Sequence, residues 1–172
     1  MGKKGDFIMD VSEIMTRMIA YSKGNLHDVD HLLRVWGYAH TIANQENIDE
    51  KTKFIIEVAA IVHDIACPLC RIKYGNTNGK YQEKEGIVLT REFLSSCALE
   101  EDMIERIAYL VGHHHTLTNI DGMDYQILIE ADFIANATEN KYSDEKVLHF
   151  INQVMKTESG KRLTKAVFNL GE

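Results

Sequence analysis

Apolar side chains recur every three or four residues along most of the chain, and nowhere do they alternate with polar ones as a half-buried strand would require. Val11, Ile14, Met15, Met18 and Ile19 form one stripe, preceded by Asp10 and Glu13 as a capping pair. A second helix, 26 to 46, carries Val29, Leu32, Trp36, Ala39 and Ala43 on its buried face. The third, 50 to 66, contains "FIIEVAAIVHDIA", apolar on nearly every side, which predicts a central position. A loop with Gly75, Asn76, Asn78 and Gly79 follows. Further helices are expected at 81 to 96, 100 to 114, 122 to 140 and 144 to 158, with a short terminal one. This pattern predicts an all-α, single-domain helical bundle over residues 1–172, and the presence of one proline agrees with long helices.

Against this pattern a few polar residues stand out by position. His63 and Asp64 close the central helix, where a buried imidazole and carboxylate need partners to offset desolvation. Asp132 shares a face with Tyr125, Leu128, Ile129 and Ala135, so an ionised carboxylate sits within an apolar stripe and calls for a cation or a metal. A salt bridge from Asp132 to Arg34 is the alternative, and Glu130, off that face, is expected in solvent. His114 continues the stripe of Met103, Ile107 and Leu110, whereas His113 and His115 flank it. His31, one step from Leu32, lies at the border of the second helix, on a polar stripe with His27, Arg34 and Tyr38. His27 reads as exposed. Imidazoles and carboxylates from four helices could thus meet in one interior and hold a metal. Two His and two Asp ligands do not distinguish manganese, iron, cobalt, zinc and magnesium.

Composition narrows the partners. A formal net charge of -7 makes a poor general surface for nucleic acid, so an anionic substrate would need a local cation such as a metal. No apolar run is long enough to span a bilayer, and the first ten residues lack a signal-peptide core and, with Asp6, a myristoylation signal. Three cysteines, an odd count, fit a reducing compartment, and a cytoplasmic protein is expected. Cys67 and Cys70 have the spacing of a redox pair, but they follow a predicted helix stopped by Pro68 and are read as loop residues, with a regulatory disulfide as the alternative.

The ordered set His31, His63-Asp64 and Asp132, in the contexts "HDVDHLLRVWGYA", "AAIVHDIA" and "ILIEADFIAN", resembles the HD-domain superfamily of metal-dependent phosphohydrolases, most strongly over residues 25 to 140. The resemblance implies an HD-type all-α fold and one divalent ion held by His31, His63, Asp64 and Asp132. It also implies hydrolysis of a phosphate ester or anhydride. Branches with a second metal use additional histidines. "GHHHT" supplies one, but Gln82 stands where the other is expected, with Glu83 and Glu85 as substitutes.

On this reading Asp64 also touches the nucleophilic water, and His114 orients substrate or transfers a proton. Arg34, with Lys73 and Lys80 from the flanking loop, binds the phosphate. The expected substrate is a small phosphorylated metabolite, a nucleotide among the candidates, and a homo-oligomer is compatible. A di-iron oxygenase on the same scaffold and a non-catalytic metal- or ligand-binding protein are the alternatives.

Overall fold

The computed structural model describes residues 9–171. The N-terminal stretch read for targeting signals, residues 1–8 with Asp6, lies outside the described residues. Nine helices and no strand occur among the described residues: α1 Val11–Tyr21, α2 Leu26–Gln45, α3 Glu50–Val62, α4 Cys67–Tyr74, α5 Gly79–Leu94, α6 Glu101–Val111, α7 Met123–Glu139, α8 Asp144–Gln153 and α9 Glu158–Phe168. None is long and apolar enough to cross a membrane. The starts follow from short polar caps. The side chains of Asp10, Asn25, Asp49, Asn78, Ser143 and Thr157 each accept from a backbone N–H of the first turn they precede. Glu13 contributes its backbone N–H to Asp10, 2.9 Å away.

α2, α3 and α7 pack against one another at the centre, with α1 and α6 also lying on α3. Ile55, Ile56 and the unbroken run Val58–Val62 of α3 are buried, as its all-round apolar character requires. α7 is buried continuously from Asp124 to Asp132. Together these helices share one apolar core.

Three local expectations are corrected. The central helix stops at Val62, four residues early, and the His63–Ala66 segment turns, with Ile65 N–H donating to Val62 O and Cys67 N–H to Asp64 O. Cys67, Pro68 and Cys70 then open α4 rather than fill a loop. Proline lacks the N–H that a first turn leaves unpaired, so Pro68 starts this helix instead of stopping its predecessor. α4 ends at Gly75, whose φ of 70° is a left-handed conformation that glycine adopts without cost. Lys73 accordingly lies in α4 and Lys80 in α5.

Glu130 is not in solvent. It is fully buried, and accepts from the backbone N–H of Lys156 and of Thr157, from the Thr157 hydroxyl and from the Gln126 amide. The segment leading into α9 supplies donors that otherwise lack partners, and the positive end of that helix suits an acid.

Candidate metal centre

α2 delivers His31, the turn after α3 delivers His63 and Asp64, and α7 delivers Asp132. The four residues meet. His31 Nε2 lies 3.1 Å from His63 Nε2, 3.2 Å from Asp132 Oδ1 and 3.5 Å from Asp64 Oδ2. His63 Nε2 lies 3.5 Å from Asp132 Oδ1 and 3.6 Å from Asp64 Oδ2. His31, His63 and Asp132 are buried and Asp64 is half-buried, its carboxylate facing a cavity.

The other ring nitrogens determine the tautomers. His31 Nδ1 sits 2.9 and 3.0 Å from the two oxygens of Glu139, and His63 Nδ1 2.7 Å from Ala60 O. A neutral ring donating from Nδ1 leaves Nε2 as a bare lone pair. With both rings in that form, two lone pairs and two carboxylate oxygens face one another. Donor pairs around one ion at about 2.1 Å are roughly 3.0 to 3.4 Å apart for right-angled or tetrahedral arrangements, close to the separations seen. Among the described residues, His31, His63 and Asp64 offer donor atoms close enough together for one divalent cation, and Asp132 lies against both histidines. Asp132 is itself aimed by Asn136, whose side-chain amide donates to Oδ1 at 2.8 Å.

Without an ion the charges rearrange. His31 is pushed up to about 10: burial opposes its charge, but the bond to Asp132, the charges of Asp64 and Asp132 and the bond to Glu139 outweigh burial. Burial would raise Asp64 and Asp132, yet the neighbouring imidazoles hold both carboxyls well below the usual carboxylate range. A proton on His31 thus substitutes for missing positive charge.

His114 follows α6 and is buried, its Nδ1 2.8 Å from Val111 O. Its Nε2 is buried without a hydrogen-bond partner and lies 3.5 Å from Asp64 Oδ1, so Asp64 has one oxygen toward the histidine pair and one toward His114. The loop carrying His114 is tied down from α7 by the Tyr125 hydroxyl, 2.7 Å from His113 O and 2.6 Å from Thr116 O. Asp64, His114 and His115 form a second group that could hold an ion. Two of the remaining acceptors are engaged elsewhere: Glu83 accepts from His115 N–H and the Thr116 hydroxyl, and Glu85 from Lys73 and the Tyr74 hydroxyl. Gln82 donates its amide N–H to Thr77 O, while its side-chain oxygen is buried without a partner.

Two cavities border the centre. One, of about 310 Å³, is polar and includes Asp28, His31, Asp64, Arg71, Asp132 and Glu139 in its wall. The other, of about 180 Å³, shares His115, Asp132 and Asn136 with the first but adds Phe133, Tyr142 and Phe150. His27, though exposed, and His115 line the polar cavity, whereas His113 turns away, its ring stacked on Tyr109 and Nδ1 on Tyr109 O.

The three cations expected at the phosphate lie outside the cavity walls. Arg34 reaches toward Glu139 at 3.5 Å, not toward Asp132, and is half-exposed. Lys73 pairs with Glu85, and Lys80 stands exposed in the first turn of α5. Residues that sequence reasoning missed are Glu139, Asp28 and Arg71. Glu139 lies seven after Asp132 and Asp28 three before His31, so helical spacing carried a signal for both. Arg71 was hidden because α4 was not foreseen. Cys67 and Cys70 are free, buried thiols. Burial first, with the Asp64 charge for Cys67 and that of Glu85 for Cys70, pushes both thiols up, away from the thiolate that redox exchange needs.

A family model described as "HD domain" matches residues 28–162. No curated protein matches the chain. Among solved structures, a predicted HD superfamily hydrolase from an uncultured Thermotogales bacterium is similar, with a TM-score of 0.68 and 20% sequence identity over 92% of this chain and 85% of that one. At that identity the likeness is one of fold.

Proposed function

Because the chain belongs to the HD domain family, we propose that it is a metal-dependent phosphohydrolase. It would cleave a phosphate ester or anhydride of a small metabolite, a nucleotide among the candidates. The observation that carries this reading is the convergence of two imidazole nitrogens and two carboxylates, with His31 Nε2 and His63 Nε2 3.1 Å apart. His31, His63, Asp64 and Asp132 would hold one divalent ion, with manganese, iron, cobalt, zinc and magnesium all compatible. When bound, such an ion polarises a phosphoryl oxygen and makes water a better nucleophile near neutral pH.

The chain's own groups account for the remaining roles. Asp64 faces the ligand set through Oδ2 and His114 through Oδ1, so it can orient the attacking water between them. His114 has Nδ1 committed to a carbonyl, which leaves Nε2 to take or return a proton at the cavity wall. Glu139 and Ala60 O hold the two ligand rings in place from behind. A di-iron oxygenase is less well supported, because Glu83 and Glu85 are bonded elsewhere and Gln82 offers a second iron only a neutral amide oxygen.

The test couples elemental analysis of the purified protein to phosphate release from a panel of monoesters, diesters and nucleotides under several divalent ions. About one ion per chain and metal-dependent phosphate release are expected, with both lost in Asp132→Ala. A folded, metal-loaded protein inert toward the whole panel would leave the non-catalytic binding alternative, and two irons per chain would restore the oxygenase.

A further inference from the structure

The polar cavity beside the centre has four carboxylates in its wall, Asp28, Asp64, Asp132 and Glu139, and among the described residues lining it Arg71 is the one Lys or Arg. Arg71 rises from α4, seven residues beyond Asp64, and grips Asp28 of α2 with both prongs. Nη1 lies 2.7 Å from Oδ2 and Nη2 2.5 Å from Oδ1. Its side chain is 39% exposed and that of Asp28 13%, so the guanidinium borders open space while the carboxylate stays fixed. The planar fork that fits a carboxylate fits two phosphoryl oxygens equally well, and a more highly charged anion competes for it.

Resting on the phosphohydrolase reading, we propose that Arg71 receives the substrate's phosphate, exchanging Asp28 for two phosphoryl oxygens, and that the cavity selects esters carrying a single phosphate. A divalent ion and one guanidinium against four carboxylates leave the cavity net negative by one charge, so one phosphate held directly by the ion and Arg71 is tolerated and each further phosphate, with no cation to meet it, adds repulsion. Further along the wall stand uncharged hydrogen-bonding groups, Thr77, Gln82, Asn136 and Asn140, which suit hydroxyls and amides better than additional anionic groups.

The experiment measures inorganic phosphate binding to the metal-loaded protein by calorimetry, and KM for the best monoester found in the panel. Arg71→Gln should weaken phosphate binding and raise KM about tenfold or more while one metal per chain is retained. Arg71→Lys should fall between the two. Asp28→Asn breaks the same bridge but keeps the guanidinium and removes its competitor, so phosphate should bind more tightly. With free metal held constant, a nucleoside monophosphate should compete at least tenfold better than its triphosphate. The proposal is overturned by wild-type phosphate affinity in Arg71→Gln, by an equal loss in Asp28→Asn, or by preference for the triphosphate. A wild-type protein that binds phosphate through Arg71 yet turns nothing over counts against the hydrolase reading alone. Turnover with Arg71 irrelevant counts against Arg71 alone.

Discussion

Glu139 touches none of the four ligand groups except His31, and that contact makes it a sensitive test of the metal centre. Its two oxygens lie 2.9 and 3.0 Å from His31 Nδ1, and His31 is 5% exposed, so a water entering from the cavity would be a weaker, uncharged and less fixed substitute for the carboxylate. In Glu139→Ala the Nδ1–H loses a charge-assisted acceptor, and the ring is free to rotate or to carry its proton on Nε2, where it blocks the ligand lone pair. An orphaned donor of this kind costs roughly 1.5–3 kcal/mol, which converts to about 10- to 100-fold in metal affinity. Glu139→Gln keeps one acceptor oxygen and loses the charge, so its effect should be smaller, about tenfold or less. Competition of manganese or zinc against a chromophoric chelator near neutral pH measures both, with circular dichroism to show that the fold persists. Affinity within twofold of wild type in Glu139→Ala would refute the tautomer argument. So would a Gln variant that binds more weakly than the Ala variant, because charge and orientation would then not be acting through His31.

Two further outcomes follow from buried charge. Glu130→Ala removes the shared acceptor of Lys156 N–H, Thr157 N–H, the Thr157 hydroxyl and the Gln126 amide, leaving buried donors unpaired. A loss of about 3 kcal/mol and a Tm lowered by roughly 10 °C are expected by thermal denaturation, and a Tm within about 2 °C of wild type would contradict the assignment. His31, at about 10 in the ion-free protein, carries a proton at neutral pH that metal must displace, so binding should release close to one proton. Affinity should therefore climb as pH rises toward 10. The same elevation stabilises the ion-free fold fully below the ordinary value of 6.5, and that contribution disappears as pH passes through 10. Calorimetry in buffers of different ionisation enthalpy checks the proton count, and no proton release at neutral pH would refute it.

The parts of the site legible in the sequence are those set by one helix at a time. Asp132 announced itself because a carboxylate on the stripe of Tyr125, Leu128 and Ile129 has no inexpensive home, and His114 because it continued the stripe of Ile107 and Leu110. The same reasoning misplaced Glu130. Helical phase says which way a side chain leaves its own helix, but the N–H groups that make Glu130 comfortable belong to residues 156 and 157, 26 and 27 positions away. Arg34 failed for a related reason: it shares a stripe with His31, yet the carboxylate within its reach is Glu139 of α7.

The turn at His63–Ala66 shows how one local misreading propagates. Running the central helix through to 66 turned Cys67-Pro68-Leu69-Cys70 into loop residues and placed Lys73 and Lys80 in the flanking loop. In the structure the chain turns at His63–Ala66 before it enters α4, and that turn has chemical consequences. It carries Asp64, whose two oxygens address His31 and His63 on one side and His114 on the other. It also starts a new helix close enough to α2 for Arg71 to reach Asp28. The break after Val62 therefore positions the metal ligand and the cavity's cation in one stroke. Substitutions that extend α3 through residue 66 should disturb both together.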